Sequence, residues 1–274
     1  MVLMIQGTAS NVGKTILTLA LCRIFKQDGY SVAPFKPQNI TFNTHFCENG
    51  DEIAISQYMQ ALAAGIKPTA DMNPVLLKPL PDKQGTQVIV NGKHFDKANL
   101  YDFKELRQQL IPRVRDAYSR LRQQYDIILI EGAGSPVELN LNNDDIVNMG
   151  MAKMANAPVI LISDIDRGGI FASLYGTVSL FTESEKVHVK ATIVNRFKGE
   201  TKYFTDGVKI LEEITGLPVA GVVPYIDINL PEEDSTCGHI NPDANFETQF
   251  NAIADTVRAA LDMKLIYKIL QDGV

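Results

Sequence analysis

Three observations predict an α/β fold with a doubly wound, mostly parallel sheet. Short β-branched runs recur along the chain, and most are continuously apolar, as strands buried on both faces of a parallel sheet are. Helix-compatible segments alternate with them, the pattern of repeated strand–helix units. The first apolar run leads into a glycine-bounded turn and then into a helix-compatible run from Ile16 to Phe25. In order, strands are expected at Val2–Ile5, Ser31–Phe35, Val88–Val90, Asp126–Ile130, Pro158–Ile162, Ala191–Val194 and Val219–Val223. Helices are expected over 14–28, 53–64, 103–124, 145–155, 169–182 and 203–215. Ligands of such sheets bind beyond the carboxyl ends of the strands, so the residues that close each strand are the candidates for function.

The first of these turns reads Gly7-Thr-Ala-Ser-Asn-Val-Gly13-Lys14-Thr15, one residue longer than the standard phosphate-loop spacing. Its backbone N–H groups and the helix N-terminus behind it suit an anion. Gly7, Thr8, Asn11, Val12 and Gly13 form the cradle. Lys14 is placed to reach the β- and γ-phosphates of ATP, and Thr15 to hold Mg²⁺ through its hydroxyl.

Lys36 closes the second strand, where a lysine faces the crevice and neutralises phosphate charge during transfer; the bland alternative is a surface lysine. Glu131 closes the strand at Asp126–Ile130 ahead of Gly-Ala-Gly, the setting of a metal or water ligand, since Mg²⁺ takes one or two carboxylates with phosphate oxygens and water. A third group is expected from Glu52 or Asp51 at the start of the 53–64 helix, where either would equally serve the helix dipole. Asp164 and Asp166, in Asp-Ile-Asp-Arg-Gly-Gly after the next strand, are candidates to orient a substrate or the transferred phosphoryl group. The alternative there is an N-cap and glycine turn. Asn195 closes the strand at Ala191–Val194, and its amide suits an adenine edge or an ordinary turn.

The 274 residues allow one large domain or two small ones, and a 45% hydrophobic content supplies a substantial core. A net charge of −6 argues against nucleic acid as a partner. Cys22, Cys47 and Cys237 show no metal spacing and read as free thiols of a reducing cytosol. No signal peptide and no membrane-length apolar run is visible, so a cytoplasmic location is expected. His45, His94, His188 and His239 lie apart and read as surface or turn residues, and Cys237-Gly-His239 as a loop. Residues 65–100, with Pro68, Pro74, Pro79 and Pro81 and a turn at Asp82–Gly85, read as an excursion from the sheet, a hairpin over the site. From Phe246 to Leu270, apolar residues at spacings of three and four form one helical stripe, for packing on the chain's own body or on a partner.

Several strings together resemble the N-terminal, ATP-dependent synthetase domain of the cobyric acid synthase family, in the dethiobiotin synthetase-like group of P-loop folds. They are Gln6 to Thr15, Phe35-Lys-Pro-Gln-Asn39, Met72-Asn-Pro-Val-Leu-Leu-Lys-Pro79, Glu131-Gly-Ala-Gly-Ser-Pro136, Asp145-Ile-Val-Asn-Met-Gly150, Asp164-Ile-Asp-Arg-Gly-Gly169 and Leu230-Pro-Glu-Glu-Asp-Ser235. The resemblance implies a synthetase domain over 1–240 with a helical extension over 241–274. It implies amidation of peripheral carboxylates of an adenosylated corrinoid through an acyl phosphate, with glutamine as nitrogen source. Lys14, Thr15, Lys36, Glu52 and Glu131 then take the nucleotide and Mg²⁺ roles, and Asn195 the adenine role. Related synthetases often pair, so a homodimer is expected.

Two departures stand out. Family members continue into a glutaminase domain with a cysteine–histidine–glutamate triad, and none of the three cysteines here has that setting. The ammonia is therefore expected from a glutaminase domain or chain outside these residues, or from solution. The family's glycine-arginine-alanine after the acid near 52 reads Ile53-Ala54-Ile55-Ser56, without the arginine. Rival readings are a synthetase for another carboxylate, a non-catalytic nucleotide-binding module, and the dimeric partitioning ATPases. The last carry a second lysine where this chain has Thr8.

Overall fold

The computed structural model describes residues 1–80, 85–98, 103–141, 145–227, 230 and 246–274. The first half of the chain forms β1 (Val2–Gly7), α1 (Lys14–Gln27), β2 (Val32–Phe35), β3 (Gln38–Ile40), β4 (Thr44–Phe46), β5 (Glu52–Ala54), α2 (Ile55–Ala64), β6 (Val75–Pro79), β7 (Thr86–Val90), β8 (Lys93–Ala98), α3 (Phe103–Gln124) and β9 (Ile127–Glu131). The second half adds α4 (Met149–Ala155), β10 (Val159–Asp164), α5 (Ile170–Leu180), α6 (Glu183–Lys186), β11 (Val189–Phe197), α7 (Thr205–Thr215), β12 (Val219–Pro224), α8 (Glu247–Ala260) and α9 (Met263–Asp272).

Six strands form a parallel sheet in the order β12-β11-β10-β1-β9-β2. β1 is central, and the strand order runs outward from it on both sides. The turn after β1 therefore opens at the switch point of the sheet, where such folds bind ligands. The continuous apolar runs are explained by two cores, one on each face. Leu3, Ile5, Ile127, Leu129, Ile160 and Ile162 point to the core that holds α1, α2, α8 and α9. Their neighbours Met4, Ile128, Ile130, Val159 and Leu161 point to the opposite core with α3 and α4. The period-two alternation of a strand thus fills both layers.

Four departures from the sequence reading have local causes. Val88–Val90 is not a strand of the parallel sheet; it lies in β7, in a second sheet of order β3-β6-β7-β8. The 65–100 excursion is thus a meander of antiparallel pairs, joined in parallel to β3. The helix expected from 53 starts at Ile55, because Glu52–Ala54 pairs antiparallel with β4. The C-terminal stripe is two helices, broken where Asp262 caps α9 by accepting from the Leu265 N–H at 3.0 Å. Phe250, Ile253, Val257, Leu261 and Ile269 are buried against the chain's own body, with α1 and β12 beneath α8. The turn at Asp82, the string Pro231 to Ser235, Cys237 and His239 fall outside the described residues.

Candidate active site

The phosphate loop takes its shape from two left-handed residues. Gly13 has φ of 96° and Asn11 has φ of 58°, a conformation glycine adopts freely and asparagine tolerates. Neither Gly7 nor Gly13 has room for a side chain. A Cβ on Gly7 would stand 2.9 Å from Lys14 Nζ, and one on Gly13 2.2 Å from Asn195 Nδ2. Thr8 is tied to β10 by its N–H to the Ile162 carbonyl at 3.0 Å and its hydroxyl to Ser163 at 2.9 Å. Val12 is buried, and its carbonyl accepts from Asn195 Nδ2 at 2.8 Å.

Lys14 folds back over the loop. Its Nζ donates to the Ala9 carbonyl at 2.8 Å and to the Gly134 carbonyl at 3.0 Å, so it bridges the loops after β1 and β9. At the next residue, the Thr15 hydroxyl donates to Glu131 Oε1 at 2.7 Å. Lys36 Nζ reaches the same oxygen at 3.0 Å. Side-chain exposure is 5% for Lys36 and 0% for Glu131, so this pair is removed from water. The other oxygen, Oε2, accepts from Gln60 Nε2 at 2.7 Å. Thr15, Lys36 and Glu131 are therefore one cluster, drawn from the start of α1 and the ends of β2 and β9, and Lys14 precedes Thr15 in the chain and ties the phosphate loop to the loop after β9.

The remaining candidates are placed differently. Glu52 opens a strand rather than a helix, and its carboxylate is engaged by Lys78 at 2.7 Å and by the Thr44 hydroxyl, not by Thr15 or Glu131. Asp51 pairs with Lys93 at 2.7 Å. Asp164 is buried, with one oxygen accepting from the Asp166 N–H at 2.8 Å and the other from Arg196 Nη1 at 3.0 Å. Asp166 pairs with Lys198 at 2.8 Å. Asn195 braces the phosphate loop with its amino group.

Three contributors were not singled out in the sequence, although Asn148 lies within the Asp145–Gly150 string. Gln60 sits inside a helix, and only the docking of α2 on α1 brings it to Glu131. Arg196 adopts φ of 59°, a strained value for a residue with a Cβ, and so turns toward Asp164. Asn148 Nδ2 donates to the Ala133 and Ser135 carbonyls at 2.6 and 3.2 Å, fixing the loop that Lys14 grips. Asp145 in turn accepts from the N–H groups of Val147, Asn148 and Gly150 at the start of α4. His188, read as a surface or turn residue, is in a turn but buried, with Nδ1 beside the Ala157 carbonyl. Burial pushes the Cys47 thiol up to about 11 and raises that of Cys22 as well; both are free.

The donor set suits Mg²⁺ held partly by a ligand. A hydroxyl and a carboxylate converge, both hard oxygen donors. Among the described residues no three His, Cys, Asp or Glu side chains gather into an all-protein cage. Among them, too, no helix is long and apolar enough to cross a membrane.

Residues 1–232 match the model of a family described as an AAA domain. The chain belongs to that family. Its fold is that of a P-loop nucleotide-binding domain. The chain is similar to the cobyric acid synthase of Lachnoclostridium phytofermentans, 52% identical over 237 residues, which is 85% of this chain and 46% of that protein. It is also similar to the cobyric acid synthase of Listeria monocytogenes, 47% identical over 253 residues, 92% of this chain and 49% of that protein. The chain thus spans about half the length of the curated relatives it matches. Among solved structures it resembles the MinC:MinD cell division complex of Aquifex aeolicus, at 16% identity and a TM-score of 0.42 over 82% of this chain and 81% of that one. It also resembles FtsY of Mycoplasma mycoides, at 17% identity and a TM-score of 0.44 over 81% of this chain and 59% of that one.

Proposed function

We propose that this chain binds Mg-ATP and uses it to amidate peripheral carboxylates of an adenosylated cobyrinic acid diamide, as the synthetase part of a cobyric acid synthase. The observation that carries the reading is the convergence of Thr15 and Lys36 on one Glu131 oxygen, beside a phosphate loop gripped by Lys14. The similarity to cobyric acid synthases supplies the substrate class.

In this reading the loop N–H groups and Lys14 hold the triphosphate, and the Asn195 carbonyl oxygen meets the adenine amino group. Thr15 and Glu131 hold Mg²⁺, which when bound supplies charge neutralisation at the phosphate oxygens. Glu52 would serve as third acid only on giving up Lys78. A substrate carboxylate oxygen attacks the terminal phosphorus, and the bond to the ADP oxygen breaks. The acyl phosphate is then attacked at carbon by ammonia; phosphate leaves with the bonding pair, and one proton is released as the amide forms. The protein aligns the reactants and offsets charge, with Lys14 and Lys36 as the cations nearest the transferred group. Asp164 and Asp166 act by shaping the loop after β10 through their partners Arg196 and Lys198. Residues 1–240 carry this domain and 241–274 a helical extension. The ammonia comes from glutamine hydrolysed by a domain or chain outside these residues, in the cytoplasm.

We further propose a homodimer that uses Phe171 and Tyr175, one turn apart on α5 and 37% and 53% exposed, directly after the loop that follows Asp164.

Calorimetric titration with ATP, with and without Mg²⁺, tests the first step. Corrinoid-dependent ADP release with ammonia as nitrogen donor tests the second. Lys14→Ala is expected to abolish turnover and leave the fold intact. No heat of ATP binding by the wild-type chain would end this reading.

A further inference from the structure

Gln57 and Gln60 are wholly buried on α2, and Asn39 on β3 is 3% exposed. Their side-chain amides form a directed chain. Asn39 Nδ2 donates to Gln57 Oε1 at 3.0 Å, Gln57 Nε2 to Gln60 Oε1 at 3.4 Å, and Gln60 Nε2 to Glu131 Oε2 at 2.7 Å. Each amide gives its amino group to the next and accepts from the one before. Three dipoles therefore align with their positive ends toward the carboxylate, and hydrogen bonds in such a chain strengthen one another. Gln60 Nε2 also donates to the Thr15 carbonyl at 3.2 Å, so one amino group holds both residues of the hydroxyl–carboxylate pair.

We propose that Gln60, backed by Gln57 and Asn39, is a positioning residue for Mg²⁺ binding, and that the amide chain couples the phosphate loop to the segment following Lys36. The proposal rests on the Mg-ATP reading above. Glu131 is fully buried, so without Gln60 its Oε2 would lack both water and a partner. The carboxylate would then rotate to recover a donor and draw Oε1 away from Thr15 and Lys36. Groups that orient metal ligands in this way commonly change affinity for the metal by 10–100-fold when removed. The far end of the amide chain reaches β3, the edge strand of the second sheet. Asn39 also donates to the Ser56 hydroxyl at 3.1 Å, and its Oδ1 accepts from the Ile40 N–H at 2.8 Å. Ile40 itself is 58% exposed, so a molecule settling on that edge presses on a strand wired to Glu131.

The test uses the whole chain, with Gln60→Met and Gln57→Met. Both keep side-chain length and remove the amide, and Gln57→Met touches neither Glu131 nor Thr15. ATP binding is measured by calorimetry in EDTA and across a Mg²⁺ series, with thermal unfolding as the check on folding. The expected result is ATP affinity in EDTA within about twofold of wild type, with the Mg²⁺ concentration at the midpoint raised about tenfold or more for Gln60→Met and a few-fold for Gln57→Met. A folded Gln60→Met variant with the wild-type Mg²⁺ midpoint overturns the proposal. So does an equal loss of binding in EDTA, which would make the residue a support of the loop alone. If Gln60→Met fails to fold, the Gln57→Met midpoint decides. Failure of the wild-type chain to bind Mg-ATP would overturn the functional reading itself.

Discussion

Replacing Lys36 by Met removes the cation from a carboxylate that has no access to water. The two groups are 3.0 Å apart, with side-chain exposures of 5% and 0%. Breaking a buried pair by deleting one partner costs about 3–5 kcal/mol, because the remaining charge is left uncompensated. Glu131 keeps the Thr15 hydroxyl and the Gln60 amide, so the lower end applies, about 3 kcal/mol. At ~2.1 cal/mol/K per residue, a chain of 274 residues has an unfolding entropy of roughly 0.6 kcal/mol/K near its midpoint. The expected fall in Tm is then about 5 °C, read by calorimetry without nucleotide. Adding Glu131→Gln to Lys36→Met removes the stranded charge and should restore most of the lost Tm, while Mg-dependent ATP binding stays lost. A Lys36→Met variant within about 1 °C of wild type would refute the reasoning, as would a double variant whose losses simply add.

Gly13→Ala places a Cβ 2.2 Å from Asn195 Nδ2 at a φ of +96° and should lower ATP affinity about tenfold or more, measured by titration. Burial alone would raise the Asp28 carboxyl, but hydrogen bonds from Arg258 and Tyr267 outweigh it and hold the group below its ordinary 3.8. A depressed carboxylate stabilises fully above that ordinary value, and the contribution is lost as pH falls through the folded value. Asp28→Asn should therefore narrow the stability difference between about pH 6 and about pH 3 in denaturant titrations, and an unchanged difference would dismiss the clamp as a contributor. Tyr175→Glu on the exposed face of α5 should convert a dimer to a monomer by light scattering, without loss of ATP binding; a wild-type monomer at high concentration would remove the dimer proposal.

The residues legible in the sequence share one property: each lies at a strand end or in the turn that leads from a strand into a helix. Lys36 follows β2 and Glu131 ends β9, so a strand boundary placed within a residue or two marked both, while Lys14 and Thr15 open α1 and were marked by the glycine-bounded loop before them. Glu52 escaped that logic because its strand is three residues long, too short for any period to show, and the apolar Ile53-Ala54-Ile55 reads as helix. Gln60 was invisible for a different reason. A glutamine within a helix reads as a solvated face until the docking of α2 on α1 shows that face to be interior. The break at Leu261–Asp262 was hidden because apolar spacing runs straight through it, both helices presenting their buried sides to the same core. The side-chain bonds of Arg196 and Asn148 join segments distant in the chain, which no local pattern encodes.

Helix α1 starts at the phosphate loop and is enclosed continuously from Leu17 to Phe25, including Arg23, whose guanidinium ends on Glu247 and Asn251 of α8. A surface helix tolerates substitution in a three-four rhythm, accepting change wherever it meets solvent. Along these nine residues that rhythm should vanish from a saturation library, and amide exchange should be uniformly slow across the same stretch. Change is then confined to the outer layers, and the helix behind the phosphate loop leaves as little room for it as the central strands do.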